Sequence, residues 1–342
     1  MTTELATTNT MTAIAAAADH AAAAGIFDQH HARTSPNTQR AQLADLALFS
    51  AYLVDVGASA PSAASLYETP FTWQGTSWGI VAGFVRWMQT NEYSASSTAR
   101  ALATIKKHAK LAFAAGAVSQ EQAALIATVT APKGKQAKQV DTERTAAGLA
   151  TRHSTKRATT TPITDEQRRT LLDQPDTPQG RRDAVIMALL IEHGFRVSEI
   201  ADLKTTDIDQ AGGKITFYRR KVDQWQTHAL TAISRRAINR WMQTDAPAIG
   251  PLLRGSRKNG SLTGAGMGTR SIAVRVAELA QRAGIDERVS PHDLRHDWAT
   301  SAAAGGTDAF ALRDAGGWSS LAMPSRYVAA ATVANERVTL RR

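Results

Sequence analysis

Apolar residues recur at helical spacing along most of the chain and switch to strand-like alternation in one stretch, which restricts the fold to packed helices carrying a small sheet. Ser35-Pro36-Asn37 is a helix start, and Leu43, Leu46, Leu48, Phe49 and Leu53 follow at helical spacing up to Val56. Further helices are predicted at about 78–90, 97–114 and 119–129, with Gly-, Pro- or Ser-containing breaks between them. They form an all-helical first domain over 35–152. The basic stretch 131–157 reads as a short helix running into a linker over 153–162, where Thr159-Thr160-Thr161-Pro162 is unpatterned. Residues 1–34, dominated by Ala and Thr, read as a mobile or weakly helical tail.

A second domain spans 163–342. Thr164-Asp165-Glu166 caps its first helix, and the apolar run Ala184 to Ile191 forms a core helix that stops at Gly194. Between Asp209 and Ile233 the pattern alternates: Gly212-Gly213, then Ile215 and Phe217, then Thr227, Ala229 and Thr231. This predicts a small antiparallel sheet inserted among helices. Helical spacing returns from Ser234, broken at Pro247 to Pro251 and at the glycine-rich Gly260 to Gly268. The fold class is therefore mainly α: a helical domain plus an α-rich domain with a small antiparallel sheet.

At 342 residues the chain exceeds what one core usually supports, which agrees with two domains. Forty Lys and Arg against thirty Asp and Glu leave a formal charge of +10, an excess that a polyanion such as nucleic acid would explain. A charge that serves only solubility would look the same. The absence of cysteine excludes disulfides, thiolate zinc sites and cysteine nucleophiles, and fits the cytoplasm. The N-terminal run lacks a basic leader region and is interrupted by Asp19 and His20, so neither a signal peptide nor a membrane span is expected.

Four separated segments carry chemistry. In Gly194-Phe195-Arg196-Val197-Ser198-Glu199 an arginine sits between two helices with a carboxylate three positions later; a surface ion pair would look identical. The hairpin around Arg219-Arg220-Lys221-Val222 could present an ammonium at its tip, although exposed hairpin lysines are commonplace. Ser290-Pro291-His292-Asp293-Leu294-Arg295 is a capped helix start, where the dipole and free N–H groups favour an anion beside His292 and Arg295. Gly316-Gly317-Trp318-Ser319-Ser320 precedes Ser325-Arg326-Tyr327, a spacing that core packing would also explain.

Taken jointly, the order Arg, Lys, His-x-x-Arg, Trp, Tyr resembles the tyrosine recombinase and phage integrase family, from about Thr161 to the C-terminus and more loosely from Ser35. Trp318 stands where most members have histidine. With Ala315-Gly316-Gly317-Trp318, Arg257-Lys258-Asn259-Gly260 and Val140-Asp141 through Arg144, it looks like the Cre subgroup. The resemblance implies a site-specific recombinase that cuts DNA through a 3′-phosphotyrosine on Tyr327, with Arg196 and Arg295 on the phosphate. Lys221 would be the general acid, His292 an acid/base or phosphate donor, Trp318 an N–H donor, and Glu199 would orient Arg196 or His292.

These residue types suit phosphoryl transfer. Paired guanidinium N–H groups match non-bridging oxygens, and a phenol of pKa about 10 needs cationic surroundings to act at neutral pH. No metal-ligand cluster or phosphate-binding glycine loop occurs, so no cofactor, metal or ATP is expected. The implied partner is double-stranded DNA with paired inverted half-sites, bound by a dimer per site and a tetramer in synapsis, in the nucleoid. Both domains would clamp the duplex. Lys258, Asn259, Arg270, Arg219 and Arg220 are the expected DNA contacts, with side chains on 97–114, and the segment 328–340 would form a helix that packs on a neighbouring subunit. A topoisomerase-like nicking-closing enzyme and a catalytically silent DNA-binding regulator are the alternatives.

Overall fold

The computed structural model describes residues 11–331 apart from positions 16, 20, 24, 150–162 and 258. It divides the chain into two compact units, Met1–Ala158 and Thr159–Arg342. The expected linker, Lys258 and the segment beyond 331 lie outside the described residues.

In the first unit, α1 (Ile26–Ala32), α2 (Pro36–Asp55), α3 (Ala63–Glu68), α4 (Trp78–Thr90), α5 (Ala95–Ala114), α6 (Gln120–Thr128) and α7 (Gly134–Ala146) follow one another. Serine hydroxyls start five of them: Ser35, Ser62, Ser77, Ser94 and Ser119 each accept the backbone N–H three residues on. Each such cap contributes about 1 kcal/mol by satisfying an orphan donor. Leu46, Phe49, Trp73, Phe84, Met88 and Ile105 fill the core. The tail expected over 1–34 is corrected at its inner end. Helix α1 inserts Phe27 into this core and stacks His31 on Tyr67 at 3.9 Å. One docked aromatic turn suffices to fix a segment too short to show periodicity.

The second unit contains α8 (Asp165–Leu172), α9 (Pro178–His193) and α10 (Val197–Asp202), then a three-stranded antiparallel sheet of β1 (Ile208–Asp209), β2 (Lys214–Arg219) and β3 (Gln224–Ala229). Thr164 and Gln167 close a reciprocal capping box on α8. Helix α9 is apolar all round from Val185 to Ile191 because it is the core of the unit, packed between α11 (Ala232–Thr244) and α13 (Pro291–Ala304). It ends at Gly194, whose φ of 60° only glycine adopts freely and whose absent side chain admits the Trp298 ring.

A second hairpin, β4 (Arg254–Ser256) with β5 (Leu262–Gly266), occupies the stretch expected to be a glycine-rich break. Gly255, Gly264 and Gly266 erase the alternation that would mark strands. Helices α12 (Thr269–Arg282), α13, α14 (Ala309–Gly316) and α15 (Ala322–Ala331) complete the unit. Among the described residues no helix is long and apolar enough to cross a membrane.

Candidate active site

The site is organised by the C-terminal end of one short helix. An α-helix leaves its last carbonyls without intrahelical donors, and these carry the negative end of its dipole. At the end of α14 four successive carbonyls are taken by side chains. Gln226 Nε2 donates to Asp314 (2.6 Å), Arg219 to Ala315 (2.7 Å) and also to Gly316, Arg295 Nη2 to Gly316 (2.6 Å), and Arg196 Nη2 to Gly317 (2.9 Å). Arg295 Nη1 donates to the Gly194 carbonyl at the end of α9. Two glycine-terminated helices therefore aim their free carbonyls at one cluster of guanidinium groups.

Both glycines of the turn are required. Gly317 has φ of 60°, and a Cβ there would collide with the Arg219 guanidinium. A Cβ on Gly316 would enter the Trp318 ring. The indole of Trp318 is half-buried, lies parallel to Trp298 with centroids 6.3 Å apart, and carries the Arg295 guanidinium 4.5 Å from its centroid.

Charge in the cluster is unbalanced. Glu199, buried at the start of α10, accepts from the Arg196 backbone N–H (2.8 Å) and from Arg196 Nη1 (2.8 Å), and pairs with Arg219 Nη1 at 3.6 Å. Its place is thus with Arg196 and Arg219, rather than with His292. Two guanidinium groups pair with this carboxylate, and Arg295, bonded only to carbonyls, feels its charge without pairing to it. Burial, reinforced by Arg196, pushes Arg295 down to about 9. Burial likewise lowers Arg219 to about 10, with Glu199 opposing. Both shifts express one fact: these cations have given up water without acquiring enough negative charge, so an arriving anion completes the site.

Tyr327, on α15, is buried against Ala299, Ala303 and Leu312, with its ring centroid 5.9 Å from that of Trp318. Burial pushes its phenol above the usual value while the nearby Arg295 pulls it down. The imidazole that meets it is His296, edge-on at 4.8 Å, held neutral by burial and by His292. His292 itself is exposed in the first turn of α13, within the Ser290–Asp293 capping box. Sequence reasoning passed over His296, because only the fold shows which neighbour of the arginine faces α15.

Lys221 lies in the four-residue turn joining β2 and β3, set by the pairing of Arg219 with Gln224. It lines an open cavity together with Gln224, Arg313, Gly317, Trp318 and Ser319. Arg220 is exposed and paired with Asp202 at 2.9 Å. Arg219 corrects the expectation of a DNA contact: its side chain is fully buried, so it faces no duplex. Strand parity carried this signal, since Ile215, Phe217 and Arg219 fall on one face of β2. Asn259 is an exposed turn residue accepting from Ser261, and Arg270, exposed on α12, lines a cleft with Gln179, Ser256, Arg257 and Ser271.

Residues 162–333 match the phage integrase family. The chain is 30% identical over 162 residues to tyrosine recombinase XerC of Myxococcus xanthus, covering 46% of this chain and 54% of that relative. It is 27% identical over 257 residues to tyrosine recombinase XerD of Xanthomonas axonopodis pv. citri, covering 71% and 75% respectively. Among solved structures, the Tn1549 transposon integrase with transposon right end DNA is similar in fold, with a TM-score of 0.60 at 17% identity over 91% of this chain and 95% of that one. A lambda integrase dimer on a core site gives a TM-score of 0.56 at 12% identity over 87% and 96%. The chain spans about half the length of the XerC relative, and residues 162–333, which match the family, hold every residue of the arginine cluster. With Arg196, Arg295, Trp318 and Tyr327 gathered about one helix end in a segment that matches the family's model, the chain belongs to the phage integrase family of tyrosine recombinases.

Proposed function

We propose that this protein is a site-specific DNA recombinase that breaks and rejoins strands through a 3′-phosphotyrosine on Tyr327. The observation that carries the reading is the unbalanced cluster at the end of α14: three guanidinium groups, two of them paired with the single carboxylate of Glu199 and the third only with carbonyls, with Tyr327 and Trp318 beside them. A scissile phosphate supplies the missing negative charge, and Arg196 and Arg295 stabilise the further charge that develops on its non-bridging oxygens.

In the step, the Tyr327 oxygen bonds to phosphorus and its proton passes to an imidazole of the first turns of α13. The bond from phosphorus to the 5′ oxygen breaks, and the Lys221 ammonium protonates the leaving oxygen. A placed proton donor of this kind contributes about 10² to 10⁴-fold. The phosphotyrosine keeps the energy of the broken ester, so a 5′ hydroxyl from a second strand reseals it without ATP or a cofactor. Trp318, in the place where histidine is usual, donates one N–H and moves no proton. That substitution supports the Cre-like reading.

The substrate is double-stranded DNA with inverted half-sites, engaged by a dimer per site and a tetramer in synapsis, within the cytoplasmic nucleoid. Asn259, Arg270 and Arg220 offer exposed groups to the duplex. Tyr327→Phe is expected to abolish the covalent protein–DNA adduct on a nicked duplex while leaving binding intact; persistence of the adduct would overturn the reading. Relaxation of plasmids lacking a specific site would favour the nicking-closing alternative, and binding without any cleavage the silent regulator.

A further inference from the structure

The hairpin that bears Lys221 is tied to the end of α14 by one side chain from each strand. Arg219, the last residue of β2, donates to the carbonyls of Ala315 and Gly316, and Gln226 of β3 donates to that of Asp314. Arg219 is fully buried and its Nε hydrogen has no acceptor, a cost the fold bears for the two-carbonyl clamp that the Nη groups make. Neither residue touches the phosphate in the proposed step: Arg219 commits its Nη groups to carbonyls and adds only its charge to the cluster, a charge that lysine keeps. What they share is position: both lie at the root of the turn 220–223, and that turn delivers Lys221 to the cavity lined by Gly317 and Trp318.

We infer that Arg219 and Gln226 are positioning residues for Lys221, docking the hairpin on the helix end that also organises Arg196, Arg295 and Trp318. The inference rests on the reading of Lys221 as proton donor to the 5′ oxygen. A lysine on a four-residue turn has a flexible stem and a mobile base. Fixing the root removes the second freedom, so the ammonium and the phosphate-binding arginines share one frame. The contribution of such alignment is large because proton transfer needs donor and acceptor within about 2.6–3.2 Å.

The test compares two leaving groups in the full-length protein. A duplex selected by the unmodified protein from a randomised pool is made as a nicked substrate, once with an ordinary phosphodiester and once with sulfur in place of the bridging 5′ oxygen. A thiolate leaves without a proton, so loss of the donor is bypassed. Lys221→Ala is expected to slow the oxygen substrate about 10³-fold, within the span of general-acid effects, Arg219→Lys about 10²-fold and Gln226→Ala a few-fold. All three should cleave the sulfur substrate at nearly the unmodified rate.

Equal losses on both substrates for Arg219→Lys and Gln226→Ala would overturn the inference by assigning them a general structural role. Failure of sulfur to rescue Lys221→Ala would overturn it by removing the proton donor. Absence of any adduct in the unmodified protein, on either substrate, would overturn the proposed function itself and the inference with it. Gln226→Ala keeps the test decisive if Arg219→Lys unfolds, since Gln226 is not fully buried and makes its tie through a single hydrogen bond.

Discussion

Each unit holds a polar cluster, and the two clusters are built in opposite ways. In the first, His30, His31 and His108 gather with Tyr67 and Gln42, and the Nε2 atoms of His31 and His108 and the Tyr67 hydroxyl lack hydrogen-bond partners. Burial lowers His108 to about 4, and burial with Lys107 lowers His30. Among the described residues no group of His, Asp and Glu is placed to hold a metal. In the second unit the cluster at the end of α14 holds buried Arg219 and Arg295 and half-buried Arg196, their Nη groups bonded to helix-end carbonyls and to Glu199 but short of negative charge. A neutral orphan costs stability and asks for nothing further. An excess of organised cations costs stability and selects an anion, which is why one unit reads as scaffold and the other as site.

The comparison is broken most directly at Arg295. Arg295→Ala removes one of three cations and the donor to both Gly194 and Gly316, and cleavage is expected to fall about 10³-fold, as when a preorganised charge-stabilising donor is lost. Thermal unfolding of the first unit should not move. A single-turnover assay of adduct formation, paired with pulse proteolysis of each unit, checks both statements. A loss below about tenfold would mean that the cluster is a structural knot rather than a phosphate cradle.

Glu199→Gln is the complementary change. It leaves the arginines and removes the carboxylate, so the second unit is expected to lose about 3 kcal/mol, the scale of breaking a buried ion pair. Duplex DNA should restore more stability to this variant than to the unmodified protein, because the phosphate then meets a larger deficit. Melting curves with and without a duplex measure the difference, and equal increments would contradict the charge argument.

How much of this was legible in the sequence differs by kind of residue. Helices declared by a serine cap and an apolar stripe, such as α4 at Trp78–Thr90, are written locally and were readable. Arg196, Arg295, Trp318 and Tyr327 stand out through resemblance to the family's ordered residues, each being unremarkable alone, and the fold brings them to one helix end. Arg219 was misplaced on the DNA surface because basic side chains are expected outside, although its parity with Phe217 pointed inward. His296 and the four carbonyls of α14 were invisible, since which groups meet across separations of 21 to 121 residues is decided by packing. The β4–β5 hairpin was lost to its glycines, and α1 to its shortness.

The first unit makes its own prediction with acid. His108 is neutral in the fold at about 4, against about 6.5 in an unfolded chain. As pH falls the unfolded chain takes the proton first, so the stability is whole above about 6.5 and is lost progressively toward 4. Between pH 6.5 and 5 the loss is about 2 kcal/mol at 1.36 kcal/mol per unit. His108→Leu keeps apolar packing on Trp73 and Phe27 and removes the titration, so the first unit should become less acid-sensitive. The second unit should keep its own acid sensitivity, because burial also lowers His193 to about 4 and His228 to about 3. Pulse proteolysis across that range, with fragments assigned by mass spectrometry, separates the units; an unchanged pH dependence in the first would remove His108 from the account.

The smallest expected effect tests whether the indole belongs to the scaffold or to the site. Trp318→His retains a ring N–H near the phosphate but gives up the parallel packing on Trp298 and most of the face beneath the Arg295 guanidinium. The lost cation–π contact is worth about 1 kcal/mol, so the second unit should melt slightly earlier while cleavage changes less than tenfold. Trp318→Phe keeps the packing and loses the N–H. If the N–H is what matters, phenylalanine is the worse enzyme and histidine the less stable protein; the reverse order would place Trp318 with the neutral packing groups of the first unit rather than with the arginines it lies against.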